Sequence, residues 1–332
     1  MENEPLESCS SLSLTGKAYV DLPLLYGALF ATLSQREYAK RQKILIDKLF
    51  LALDSLSPKE QQAEQILLTR NLDHEFTTYL YQIRNLIHIK KEKEALTRIA
   101  PLENLFYLFE DNIRKRSDKP LAFRYYFSLM ENALAEKVYP DDNVFLLPFD
   151  GVSLYILKAQ ALFRSNRSEE GFLSLHQALE LDPVSVDVLF LSAKENQKNN
   201  NDFSLENDLE RIKEFLYRSE DYFRYIRLTF LSDDAEDDRY FKSIVKNNST
   251  PYDFLHNPNH LFSILLPKTS DALLSDLVRN TYLEKIEETE KAKNKPLYLY
   301  YVDNYSPFIS PDERERLHHP EFLKEEDKKE AV

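Results

Sequence analysis

Glycine is almost missing from this chain: four among 332 residues, at Gly16, Gly27, Gly151 and Gly171. No two stand within ten positions of each other. A dinucleotide fingerprint, a P-loop, a kinase glycine loop and a nucleophile elbow all need closely spaced glycines, so none of them is encoded. The same scarcity disfavours all-β folds, whose tight turns rely on positive φ. Cysteine is limited to Cys9, which excludes an internal disulfide framework and fits a reducing compartment. Positive charge is in deficit, with 43 Lys and Arg against 56 Asp and Glu and a net charge of −13. General attraction to nucleic acid or to an anionic membrane is therefore not expected. The longest uncharged apolar stretch, Leu22 to Gln35, spans 14 residues, which suits a buried helix rather than a membrane span. The opening MENEPLESCSS lacks the basic and apolar regions of a signal peptide. The expected location is cytoplasmic, with secretion by a signal-peptide-independent route left open.

Apolar residues recurring every three to four positions fill the rest of the chain, and this spacing predicts helices. Asp21 is read as the cap of a helix with Pro23 in its first turn, carrying Leu25, Leu29 and Leu33. Ile44, Leu45, Leu49 and Leu53 mark a second helix. Ser57-Pro58-Lys59-Glu60 reads as a capping box with proline at the first helical position. The helix it opens is expected to break near Asn71–Asp73. Pro101 and Pro120 are read as further helix starts, the second for Leu121 to Lys137. "PLYLYYVDNY", residues 296–305, has strand propensity but no strand to pair with, and is assigned to a short buried helix. The fold class expected is all-α, built of stacked antiparallel helical hairpins. Its divisions are a tail over 1–14, N-terminal hairpins over 15–138, a linker over 139–151 and a helical repeat over 152–200. A C-terminal helical region over 201–323 and a charged tail over 324–332 complete it.

Within 152–185, Tyr155, Ala159 and Leu162 precede Gly171, Leu175 and Ala178, and Leu-Asp-Pro at 181–183 closes the stretch. This order and spacing resembles a tetratricopeptide repeat, the 34-residue helix-turn-helix unit of many protein-binding scaffolds. Leu189 and Ala193 continue the match into a second first-helix, and the clear resemblance covers about 152–198. Lys158 stands where the family usually has leucine, and Gly171 where it usually has alanine. Gly27 with Ala39 repeats the 12-residue offset of Ala159 with Gly171.

The resemblance implies a ligand face lined by first helices: Ile156, Gln160, Phe163 and Arg164, then Phe190, Lys194 and Lys198. Two phenylalanines among three cations suit a protein or peptide segment that is apolar with some acidic residues. The alternative for Phe163 and Phe190 is that they pack against a neighbouring helix. No catalytic or cofactor-binding residue is assigned, and no metal ligand. His256 and His260 are separated by Pro258, which spoils a shared helical face, and "DDAEDD" at 233–238 lacks the central glycine of a calcium loop. The expected function is non-enzymatic: an adaptor, chaperone or assembly factor that binds protein, with no nucleic acid and no membrane insertion. The alternatives are an enzyme whose site is assembled from scattered residues, or a nucleic-acid-binding regulator.

Overall fold

The computed structural model describes residues 14–35, 37–140, 142–230, 250–252, 274–318 and 320. The "DDAEDD" run, the His256 and His260 pair and most of the two terminal tails lie outside these residues. Among the described residues there are thirteen α-helices and two short strands. In chain order they are α1 (Ala18–Ala31), α2 (Tyr38–Asp54), α3 (Pro58–His88), α4 (Glu92–Arg114), β1 (Ala122–Arg124), α5 (Leu129–Val138) and β2 (Val144–Leu146). There follow α6 (Gly151–Arg164), α7 (Ser168–Leu181), α8 (Val186–Lys198), α9 (Asp202–Phe215), α10 (Ser219–Phe230), α11 (Asp276–Lys291), α12 (Lys295–Tyr305) and α13 (Pro311–His318). The fold is an all-α helical array in which consecutive helices pack against each other. It divides into two compact units: Met1–Tyr126 with Asp141–Pro183, and Phe127–Pro140 with Val184–Val332.

Four hairpins, α3/α4, α6/α7, α8/α9 and α11/α12, share one turn. Lys90, Asn166, Asn200 and Lys293 adopt φ of 60°, 57°, 51° and 52°. The N–H of the next residue bonds the carbonyl five positions back, as from Lys91 to Leu86 and Arg167 to Leu162 at 2.9 Å. The same bond runs from Asn201 to Asn196 at 3.0 Å and from Asn294 to Thr289 at 2.9 Å. Such left-handed closures usually carry glycine. Here lysine and asparagine take the position, which is how a chain with so little glycine still folds back on itself. Asn166 and Asn200 stand 34 positions apart.

Unit 1 stacks its hairpins through α2, α4 and α6. Gln42 Nε2 donates to Pro101 O at 3.1 Å, Asn104 Nδ2 donates to Gln42 Oε1 at 2.8 Å, and the Phe50 and Phe109 rings lie 5.5 Å apart. These successive contacts run α2 and α4 in the same direction. On the other side of α4, Phe106 meets Tyr155 of α6 edge-on at 5.9 Å. Strands β1 and β2 pair in parallel, Phe123 opposite Phe145, and Tyr125 N donates to Leu181 O at the end of α7. In unit 2, Asn196 of α8 donates to Asp208 of α9 at 2.9 Å. Tyr282 of α11 packs on Tyr305 of α12 at 5.2 Å, and Tyr298 Oη donates to Leu317 O at 2.7 Å.

Several local expectations are corrected. Asp21 lies inside the first turn of α1 and its carboxylate reaches back to Thr15 N and Gly16 N, at 2.8 and 3.0 Å. Those bonds, the Thr15 N–H foremost, hold its pKa below the ordinary carboxylate value. Helix α3 runs unbroken through Asn71–Asp73. Pro101 sits within α4 rather than at its start, where its carbonyl receives Gln42. After Pro120 the chain forms β1, and the helix waits for Ser128, whose Oγ accepts the Glu131 N–H at 3.0 Å. Gly27 is exposed with nothing within 4 Å of a Cβ built on it, whereas Ala159, whose place in the 12-residue offset it takes, is fully buried, so the echo is not a second close approach. The Ser57 capping box forms as expected, with both reciprocal bonds present.

Candidate functional site

Helix α6 is buried on most of its circumference. Asp150 caps it, Oδ1 accepting the Ser153 N–H at 2.7 Å. Ala159 is fully buried, and Lys158, in a place where leucine is usual, pairs with Glu103 of α4 at 2.6 Å. What remains open is the stripe Ile156, Gln160 and Arg164, four residues apart and therefore on one helical face. Ile156 and Gln160 are half-buried and Arg164 is exposed. Arg164 Nη1 donates to Ile87 O at the end of α3, at 2.5 Å. Phe163 points elsewhere: it is buried and meets Phe172 of α7 edge-on at 5.1 Å.

In unit 2, Phe190 is also buried, and the guanidinium of Arg224 lies 4.2 Å from its ring centre. Arg224 is itself held by Asp187 at 2.5 Å and Asp221 at 2.8 Å. Lys194 is exposed, and Lys198 pairs with Glu195 at 2.5 Å. Both phenylalanines are thus packed within their own units, and the open residues of the two expected stripes are mainly polar.

Unit 1 brings a second helix to the α6 stripe. Phe76 stacks on Phe149 just before α6, with centroids 4.9 Å apart, and Ile87 receives Arg164, so α3 and α6 run in the same direction. Gln82 and Arg84 leave α3 on opposite flanks of buried Ile83, each about 100° around the helix. Gln82 accepts from Arg98 of α4 at 2.8 Å, which leaves Arg84's flank on the side of α6. Tyr81 and His88 share that flank with Arg84, and all three are exposed, Tyr81 by 64%. Sequence reading missed them because it tracked the apolar stripe of α3 and not the residues beside it. The signal was available: neither 76–88 nor α6 contains a single acidic residue, in a chain with 56 of them.

No known family model, curated protein or solved structure matches this chain. Among the described residues, no helix is long and apolar enough to cross a membrane.

Proposed function

We propose that the chain is a non-enzymatic scaffold that holds a protein or peptide partner, working as an adaptor, chaperone or assembly factor. The observation that carries this reading is the α3–α6 face of unit 1. It exposes Tyr81, Arg84, His88 and Arg164 beside half-buried Ile156 and Gln160, with no carboxylate on either segment. An aromatic and an aliphatic contact set among cations suits a partner segment that is apolar with some acidic residues. Its rings and methyl groups would supply affinity, and the cations would mainly steer approach. Lys194 and Lys198 on α8 are proposed as contacts of the same kind in unit 2. The tetratricopeptide reading belongs here too. It is supported by two 14-residue helices in α6/α7, the buried small residues Ala159, Gly171 and Ala178, and the 34-position spacing of the turns at Asn166 and Asn200.

The test is affinity purification from the native cell with identification of what is retained. A Tyr81→Ser, His88→Ser double variant changes two exposed side chains and should melt as the wild type does. Loss of a protein that the wild type retains supports the face. Retention of the same proteins by the variant rejects it, and a wild type that retains none rejects the scaffold.

A further inference from the structure

Unit 2 buries a carboxylate that has no cation of its own among the described residues. Glu131, in the first turn of α5, is 1% exposed. Its Oε2 accepts the Phe127 N–H at 2.7 Å and its Oε1 accepts the Tyr217 hydroxyl at 3.1 Å, both neutral donors. The guanidiniums around it are already committed. Arg218 bonds Asp221 and Asp187, and Arg224 bonds the same two carboxylates. Among the described residues, three carboxylates therefore share two guanidiniums, with one negative charge in excess. A buried carboxylate without a cation favours its neutral form, so the cluster has a place for one proton.

The contacts accommodate that proton without loss. Tyr217 Oη stands 2.9 Å from Ser128 Oγ, and either atom can donate. When Glu131 is ionised, Tyr217 donates to it. When Glu131 is protonated, its hydroxyl donates to Tyr217, which turns its own hydrogen towards Ser128. Ser128 Oγ also accepts the Glu131 N–H as the cap of α5. The groups that carry the proton are thus the groups that fasten the start of α5. Tyr282 of α11 donates to Tyr217 O at 3.0 Å and fixes the far side of the relay.

We infer that Glu131, Tyr217 and Ser128 form a proton-operated latch that grips α5 more tightly when Glu131 carries a proton. Among the described residues, the charged and titratable groups around it are Tyr217 and Arg218 from the loop before α10, Asp187 from α8, Asp221 and Arg224 from α10, and Tyr282 from α11. Burial raises the pKa of Glu131, Arg218 and the two hydrogen bonds oppose this in part, and Asp187 adds to it. Burial also raises Asp221, whereas Asp187, despite its burial, is held low by Arg218 and Arg224. A folded-state pKa above the unfolded one gives stabilisation that is complete below the unfolded value and is lost as pH rises through the folded one. The latch therefore tightens on acidification.

Hydrogen exchange over 127–140, corrected for intrinsic rates and referred to α12, reads the grip directly. One proton limits the change to about tenfold per pH unit. Protection of α5 should rise on acidification in the wild type, and should be high and independent of pH in Glu131→Gln. Tyr217→Phe removes a donor to the ionised carboxylate, so Glu131 should titrate higher and the rise in protection on acidification should begin at higher pH than in the wild type. Carbon-13 titration of the wild-type glutamate side chains, which needs no variant to fold, should place Glu131 above the ordinary glutamate range. A Glu131 midpoint at or below that range overturns the latch. So does α5 protection that ignores pH, a slope that survives in Glu131→Gln, or an onset in Tyr217→Phe that is no higher than in the wild type.

Discussion

The ring of Phe163 fills the space in which a side chain on Gly171 would begin. A Cβ at 171 would stand 2.5 Å from Phe163 Cε1 and 2.7 Å from Cδ1. Glycine inside a helix costs about 1 kcal/mol against alanine, and here the cost is accepted so that α6 and α7 can close over the ring. Phe163 has little room to retreat, being buried against Phe172. Gly171→Ala should therefore destabilise by about 1–3 kcal/mol despite the better helix former. Phe163→Leu should cancel much of that loss in a double-mutant cycle measured by denaturant unfolding. Two additive substitutions would mean that the ring and the glycine are not coupled.

The hairpin turns offer a stabilising change. Lys90 and Lys293 hold φ of 60° and 52°, a conformation that costs a side-chain-bearing residue roughly 1–2 kcal/mol. Glycine relieves the strain but adds freedom to the unfolded chain, so Lys90→Gly and Lys293→Gly should each gain about 0.5–1 kcal/mol. Urea midpoints check this. Asn200→Val should move the midpoint the other way, because a β-branched residue tolerates this region least.

Asp150 should give unit 1 a pH signature. Its pKa is pushed up from 3.8 to about 6, first by burial, against the hydrogen bonds from Ser153. Asp73 raises it further and Arg84 lowers it. With the folded value above the unfolded one, its stabilisation is complete below pH 3.8 and is lost as pH rises through about 6. Asp150→Asn keeps an acceptor for the Ser153 N–H without the charge. It should be more stable than the wild type at neutral pH, by about 3 kcal/mol at most. It should also lack the wild type's loss of stability across that window in thermal unfolding.

Lys158 and Glu103 test how a polar pair serves a helix contact. Each side chain is about a quarter exposed, 26% and 25%. Removing one partner leaves the other charge half-buried, so Lys158→Leu alone should cost about 1–2 kcal/mol. Lys158→Leu with Glu103→Leu should recover most of it, since an apolar pair can replace an ion pair at a packed contact. Calorimetric melts of the three variants distinguish this from a pair that contributes nothing.

Much of the architecture was written in local chemistry. Glycine scarcity, the three-to-four spacing of apolar residues and the Ser57 capping box act within one or two helical turns, and each predicts helix without knowledge of a neighbour. The Asp-Pro joint at 182–183 is equally local, because proline ends a helix by its own ring and its missing N–H. Contacts between distant segments decided the rest. Pro101 reads as a start signal, yet it lies inside α4, where Gln42, 59 positions away, donates to its carbonyl. Residues 122–124 form a strand because 144–146 lie alongside them, which no local propensity reports. Phe163 and Phe190 fit an open groove and a packed core equally well as sequence; Phe172 and Arg224 decide where they go. The face beside α6 is the same case. Tyr81 and Arg84 are unremarkable as letters, and acquire a meaning only when α3 is laid along α6. Helix formation rests on bonds between near neighbours in the chain, whereas burial and shared faces are set by which helices meet. The first could be read from 332 residues in order; the second required them in space.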